Sequence, residues 1–219
     1  MGSAVRGLLL QGNQKLGAAI HHFDLEAVTT CPGSTELCRK ACYCNGRGRY
    51  AFPVVLQRLR ANLEASRRAD FVDRVVDECR RKGVLVLRAH CSGDYYDAGY
   101  ARKWLSVMKR CPRVTFYWYT RSWRVPEIAV VLAEMARLRQ CRGWYSIDAE
   151  TGLPEAVPRG IRLAYLQAED GDRPEQVDLF FRVRRLRRTR IPLSLVCPSE
   201  TPNGRNAGVT CGSCRRCFA

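Results

Sequence analysis

The sequence lacks long apolar runs, internal repeats and low-complexity linkers. No hydrophobic stretch approaches the roughly 20 residues that a membrane-spanning helix needs. Residues 1–14 also lack the basic start and long apolar segment of a secretory signal. These absences predict a cytoplasmic protein without membrane association, folded as a single domain over residues 1–219.

Acidic residues are scarce beside basic ones. The chain has 21 Asp and Glu against 37 Lys and Arg, which is a formal net charge of +16. Such an excess raises the local concentration of polyanions, so nucleic acid or a nucleotide is the expected partner. An arginine-rich genome is the alternative explanation, and the basic run at residues 184–188 also fits a solvated helix face. The sequence leaves the oligomeric state open.

Cysteine is abundant, with twelve in the chain. A reducing cytoplasm disfavours disulfides, so metal binding is the better explanation. Two groups stand out, one after the first predicted strand and one after the last. The first group is Cys31, Cys38 and Cys42, and the second is Cys197, Cys211, Cys214 and Cys217.

The second group contains a C-x2-C-x2-C core, which resembles the spacing that wraps a four-iron cluster. Zinc is the alternative, because four cysteines also form a closed tetrahedral site, although zinc ligands usually come as separated pairs. The groups therefore predict one or two [4Fe–4S] clusters. Cys44 is an alternative ligand, Cys91 is a ligand or a reactive thiol, and the isolated cysteines are interpreted as buried hydrophobic residues: Cys79, Cys111 and Cys141.

Strand and helix patterns alternate along the chain. Apolar runs rich in β-branched and aromatic residues predict six strands, at 23–28, 84–90, 114–120, 144–148, 161–167 and 192–197. Helical spacing predicts helices at 54–66, 71–81, 101–109, 126–140 and 176–188. The alternation predicts an α/β fold with a parallel sheet, specifically a six-unit β/α partial barrel, with a doubly wound sheet as the alternative. Residues 198–219 are predicted to be an irregular cluster-binding segment.

Polar clusters follow four of the predicted strands, at residues 90–94, 120–122, 148–150 and 197–200. The carboxyl ends of parallel strands meet at one edge of a sheet, so we expect a shared functional rim. The catalytic candidates there are Arg88, His90 and Asp94, and the cofactor-binding candidates are Ser92, Gly93, Asp94 and Arg121. His90 is a core histidine, a proton-transfer group or a ligand. The two arginines either bind a phosphate or carboxylate, or pair with Asp94 or Asp148.

Several motifs in order resemble the phage "gene product 88" family, cysteine-rich proteins of phages and mobile elements. They are Cys31…Cys38…Cys42-Tyr43, Arg88-x-His90-x-Ser92-Gly93-Asp94-Tyr95, Phe116-x-x-Tyr119-Thr120-x-Ser122 and Cys211-x-x-Cys214-x-x-Cys217. The resemblance covers the chain from about Gly12 to the end. It implies a phage or mobile-element origin, hence the host cytoplasm, and a cysteine-bound cluster, without an established reaction.

A more distant likeness is to radical S-adenosylmethionine enzymes, which are built on partial barrels. Their first cysteine loop binds a four-iron cluster through three thiolates, and a glycine-rich acidic turn after the second strand receives the methionine amino group. Cys31, Cys38 and Cys42 and the turn 92–94 stand in the corresponding places, although the spacing is C-x6-C-x3-C instead of C-x3-C-x2-C. Three hypotheses follow: an iron–sulfur enzyme using S-adenosylmethionine, a metal-stapled nucleic-acid-binding protein, and a redox-responsive regulator.

Overall fold

The computed structural model describes residues 7–46, 48–183, 186 and 191–219. Its strands are β1 Leu10–Gln11, β2 His21–Phe23, β3 Val86–Ala89, β4 Thr115–Thr120, β5 Cys141–Ile147, β6 Ile161–Gln167 and β7 Leu179–Arg182. Its helices are α1 Glu36–Ala41, α2 Pro53–Arg67, α3 Phe71–Arg81, α4 Ala98–Arg110, α5 Pro126–Ala136, α6 Pro202–Asn206 and α7 Cys211–Cys214. None of the helices in these ranges is long and apolar enough to cross a membrane.

Local sequence signals explain the long helices. Proline occupies the first turn of α2 and of α5, where its missing N–H costs no hydrogen bond. The carboxylate of Asp97 accepts a hydrogen bond from the backbone N–H of Tyr100 and so caps α4. Along α3, Phe71, Val75 and Cys79 recur every four residues and are buried, as helical periodicity requires.

The strands form one sheet in chain order, from β1 to β7. β1 pairs with β2 antiparallel, and every later neighbour pair is parallel. Because the parallel strands all run in the same direction, their carboxyl ends lie along one edge, which positions the loops after them side by side. The predicted α/β class with a parallel sheet is confirmed.

The two faces of the sheet are covered differently. Alternate strand residues, including Leu87, Phe116 and Tyr145, pack with α3, α4 and α5 in the main hydrophobic core. We call this side the helical face. The opposite side, which we call the second face, carries Arg88, Tyr117, Tyr119, Trp144 and Arg162. There Tyr117 packs with Leu16, Phe218 and the cysteines Cys211 and Cys217, so the carboxyl terminus covers the second face.

The structure corrects several predicted elements. The helix expected at 176–188 is wrong at Leu179–Arg182, which form β7 beside β6; residues 184, 185 and 187–190 lie outside the described residues. The strand expected at 192–197 is instead a 3-10 turn at Leu193–Leu195 with a single bridge from Val196 to Phe180. The first strand ends at Phe23, and residues 24–28 are not strand. The segment 198–219, expected to be irregular, contains α6 and α7.

Candidate metal site

The second cysteine group converges on one pocket. Its lining includes all four predicted ligands: Cys197, Cys211, Cys214 and Cys217. Burial raises the pKa of the Cys211 and Cys217 thiols, and the neighbouring thiols of the group add to the shift. Burial therefore favours the neutral form of the Cys211 and Cys217 thiols, and a bound metal cation would stabilise their thiolates.

Local structure positions Cys211 and Cys214 of this group. The hydroxyl of Thr210 accepts a hydrogen bond from the N–H of Ser213 and caps α7, so Cys211 and Cys214 lie on one short turn of helix. Backbone N–H groups of Cys211 and Gly212 donate to Lys15 O at 2.7 Å and Leu16 O at 2.9 Å. These two hydrogen bonds join the carboxyl-terminal segment to the chain before β2.

Side chains of the second face hold Cys217 in place. The Tyr119 hydroxyl lies 2.8 Å from Cys217 Sγ as a hydrogen-bond donor. The indole N–H of Trp144 and the guanidinium of Arg162 both donate to the Cys217 carbonyl at 3.0 Å. The guanidinium also stacks over the Trp144 ring at 4.0 Å. Tyr119 and Trp144 are therefore part of the interior packing beneath the carboxyl terminus.

The first cysteine group lies at the carboxyl edge of the sheet. Cys31, Cys38 and Cys42 are partly exposed and near enough to one another that each neighbouring thiol raises the pKa of Cys31. Burial, followed by the charge of Asp94, raises that pKa to about 12. Burial also raises the pKa of Cys38, against the opposing effect of the Arg121 guanidinium. Cys31 and Cys38 thus lie close to Asp94 and Arg121, respectively.

Ion pairing anchors this cysteine loop to the ends of β4 and β5. Arg121 Nη1 lies 2.7 Å from Asp148 Oδ2, and both side chains are buried. The Thr35 hydroxyl donates to the same oxygen at 2.7 Å and accepts from the N–H of Cys38, which caps α1. Gly33 packs directly on the carbonyl of Arg121, where a Cβ would overlap it. Arg121 thus pairs with Asp148, one of the two alternatives that the sequence left open.

Asp94 joins the loops after β3 and β4. One carboxylate oxygen accepts from the Tyr95 N–H at 2.8 Å and the Thr120 hydroxyl at 2.6 Å. The other accepts from the N–H groups of Arg121 at 2.8 Å and Ser122 at 3.3 Å. Burial nevertheless raises the pKa of Asp94. These four contacts occupy the carboxylate that was expected to meet a cofactor, so Asp94 positions Arg121 and the rim.

The remaining rim candidates occupy different environments. His90 lies in the helical-face core, where its Nε2 is 2.7 Å from the Tyr100 hydroxyl and burial lowers its pKa to about 3. It matches the core-histidine alternative. Arg88 lies on the second face over the rings of Tyr117 and Tyr119, with Nε donating to the His90 carbonyl. The backbone around Ser92 contacts the chain after β2, because the Ser92 carbonyl accepts from the Leu25 N–H.

Sequence reasoning missed two groupings. His22, Asp24 and Cys91 are buried together, with one potential ligand atom of each within 4.8 Å of the others. A His-x-Asp pair at the end of the first strand was the available signal. Cys79 and Cys111, interpreted as isolated, lie at the ends of α3 and α4 with their thiols hydrogen-bonded to each other. Cys44, which the sequence already offered as an alternative ligand, is hydrogen-bonded in the same way to Cys42.

Comparison with known proteins identifies the family. The family model described as "Gene product 88" matches residues 7–219. The Gene 88 protein of Mycobacterium phage L5 is 30% identical over 63% of this chain and 61% of the relative, and that of Mycobacterium phage D29 is 28% identical over 63% and 60%. The match thus spans about three fifths of each relative's length. No solved structure matches. The chain belongs to the gene product 88 family of phage proteins, as the resemblance in its motifs implied.

Proposed function

We propose that this chain is an iron–sulfur protein in which the second cysteine group binds a [4Fe–4S] cluster. The observation that carries the proposal is the convergence of Cys197, Cys211, Cys214 and Cys217 on one pocket. Four thiolates are the ligand set of a closed cluster. The hydrogen bond from Tyr119 to Cys217 Sγ supports it further, because such bonds tune the reduction potential of a cluster.

The spacing of the cysteines along the chain favours iron over zinc. Cys211, Cys214 and Cys217 form a C-x2-C-x2-C run, which resembles the spacing that wraps a four-iron cluster. Zinc ligands usually come as separated pairs. Zinc is the alternative occupant of the same pocket.

The first cysteine group is the proposed second cluster site. Three thiolates leave one iron of a four-iron cluster without a protein ligand, as in the radical S-adenosylmethionine enzymes. Cys31, Cys38 and Cys42 supply that number at the carboxyl edge, beside the buried Arg121–Asp148 pair. A bound S-adenosylmethionine would supply radical chemistry at this rim. The residues of this chain would position the loop, since Asp94 holds Arg121 and Arg121 holds Asp148.

Strand order supports a partial barrel as the host of this rim. The six parallel strands β2 to β7 follow one another in chain order. A doubly wound sheet reverses its strand order at a switch point, and no reversal occurs among the described strands. With the net charge of +16, a nucleotide or nucleic acid is the proposed substrate class.

Anaerobic purification with iron, sulfide and zinc analysis tests the cluster proposal. We expect iron and sulfide in the full-length protein and loss of one cluster in Cys214→Ser. Cys111→Ser is the matched control, because Cys111 is a buried cysteine at the end of α4, outside both groups. Zinc without iron in the wild type, or equal iron in both variants, would refute the iron assignment.

The open-iron assignment needs a separate measurement. We expect the electron paramagnetic resonance signal of the reduced protein to change when S-adenosylmethionine is added, and the change to vanish in Cys38→Ser. A wild-type signal that does not respond would favour the second candidate function, a non-catalytic nucleic-acid-binding or redox-responsive protein. The observation behind that candidate is the net charge of +16.

A further inference from the structure

The end of β2 and the loop after β3 bring together three side chains of different chemistry. His22 lies in β2, Asp24 follows the strand directly, and Cys91 is two residues past β3. All three are buried, with exposed fractions of 1%, 3% and 9%. One nitrogen, one oxygen and one sulfur atom from them lie within 4.8 Å of one another. None of the three belongs to either cysteine group.

His22 and Asp24 already face each other. Nδ1 of His22 lies 2.8 Å from Asp24 Oδ2, which is hydrogen-bonding distance. A cation bound by both groups would take the place of the proton between them, because metal ligands must be deprotonated.

The surrounding contacts resemble the outer shell of a metal site. His22 Nε2 is 3.3 Å from the Gly12 carbonyl, the kind of outer-shell contact that orients a ligating imidazole. Asp24 Oδ1 accepts from the N–H of Cys91 at 2.8 Å, and Asn62 donates to the Asp24 carbonyl at 2.9 Å. The carboxylate keeps Oδ2 directed toward His22.

A cavity adjoins His22 and Asp24, two of the three side chains. It has a volume of about 180 Å³ and is lined by His22, Asp24, Asn62, Arg49 and Arg58, among others. A fourth coordination position directed into this cavity would be accessible to water or a small anion, which the two guanidinium groups favour. Three protein ligands with one open position are typical of catalytic zinc, whereas structural zinc takes four.

We propose that His22, Asp24 and Cys91 bind a single transition-metal ion, with zinc the best match to one imidazole, one carboxylate and one thiolate. The ion is bound through His22 Nδ1, Asp24 Oδ2 and Cys91 Sγ. Binding releases to solvent the thiol proton of Cys91 and the proton between His22 Nδ1 and Asp24 Oδ2. This site is independent of the proposed clusters, because it uses none of their cysteines.

The test uses the imidazole nitrogens of the full-length wild-type protein. The chain has three histidines, His21, His22 and His90, so a sample labelled with ¹⁵N-histidine gives a simple nuclear magnetic resonance spectrum. Titrating Zn²⁺ anaerobically should shift the ring nitrogens of His22, and the shift should saturate. A zinc ion bound only by cysteines moves no histidine ligand, so the absence of an imidazole shift, or a shift of His21 or His90 instead, overturns the proposal.

Variants provide a second measurement. His22→Gln and Asp24→Asn should weaken zinc binding at this site by at least about tenfold, because loss even of an outer-shell partner costs that much. Iron content should stay unchanged. His21→Gln is the matched control, since His21 is an adjacent buried histidine on the opposite side of β2. Equal zinc affinity in the three variants would refute the site. If a variant fails to fold, the Zn²⁺ titration of the wild-type protein alone decides whether the site exists.

Discussion

Asp94 accepts hydrogen bonds from the loops after both β3 and β4, and these contacts change the role that its sequence context suggested. A Ser-Gly-Asp turn after a strand is compatible with ligand binding and with loop docking alike. The structure provides four hydrogen-bond donors within the protein, so the Asp94 carboxylate is fully engaged in holding the loops after β3 and β4 together. Residue type and spacing alone do not distinguish these roles, because the donors come from residues 95 and 120–122.

His90 makes stability depend on pH. Its pKa in the fold is about 3, below the ordinary value of 6.5, because burial disfavours the charged ring. As the pH falls below 6.5, the unfolded chain binds a proton at His90 before the folded protein does. The contribution of neutral His90 to folding stability is therefore complete above pH 6.5 and is lost progressively as the pH falls toward 3. We expect wild type to lose stability more steeply than His90→Leu between these limits, by up to about 1.4 kcal/mol per pH unit. Urea unfolding at several pH values measures both slopes, and identical slopes would contradict the expectation.

At the scale of elements, the turn after β3 fits against the chain leading to the first cysteine group. Gly93 has φ +77, and an added Cβ would lie 2.6 Å from Leu25 Cβ and Thr30 Oγ1. Gly93→Ala should therefore lower the free energy of unfolding by about 2–4 kcal/mol, from backbone strain plus overpacking. Gly152→Ala is the matched control, because Gly152 has φ +62 and open space around the Cβ position. Gly152→Ala should lower the free energy of unfolding by about 1 kcal/mol in the same denaturation experiment. If both substitutions lower it equally, the close contact of Gly93 with Leu25 and Thr30 does not contribute to stability.

The carboxyl-terminal segment depends on Arg162 of β6. Its guanidinium donates to the carbonyls of Arg216 at 3.2 Å and Cys217 at 3.0 Å. Arg162→Ala leaves these carbonyls without that donor, at a cost of about 1–3 kcal/mol. We expect faster hydrogen exchange in residues 211–219, measured by mass spectrometry, and reduced metal content at the second cysteine group.

The control for this change is Arg159→Ala. Arg159 is an exposed arginine two residues before β6, so its loss should leave exchange in residues 211–219 unchanged. If Arg162→Ala also leaves that exchange unchanged, the segment is held by other contacts, such as the hydrogen bonds from Cys211 and Gly212 to residues 15 and 16.

At the scale of the whole molecule, the net charge of +16 predicts salt-dependent binding of nucleic acid. Changing Arg184, Arg185, Arg187 and Arg188 to Glu should weaken binding and flatten the dependence of affinity on salt. A matched variant reverses the same number of exposed charges on α3 and α4: Arg80, Arg81, Arg102 and Lys109. Fluorescence anisotropy at several salt concentrations measures both. Equal losses would indicate a general charge effect, and an unchanged affinity in the first variant would refute the role of that run.

Long periodic segments of this chain were predictable, and short ones were not. The helix expected at 71–81 is α3, and the strand expected at 161–167 is β6. The segment 176–188 carries helical spacing, yet its residues 179–182 pair with β6. A four-residue run such as Leu179–Arg182, three of whose residues are apolar, fits either structure, and the neighbouring strand supplies the hydrogen bonds that decide. β1 has two residues and forms by pairing with β2, so no local pattern announces it.

The sequence by itself determined the α/β class, the family and the two cysteine groups, because these depend on periodicity and on the order of residues along the chain. Only the tertiary structure decided that Asp94 is enclosed by protein donors, that His90 lies in the core, and that His22, Asp24 and Cys91 meet. Those outcomes depend on contacts between residues far apart in the chain. Neighbouring parallel strands create them by bringing their carboxyl ends to one edge.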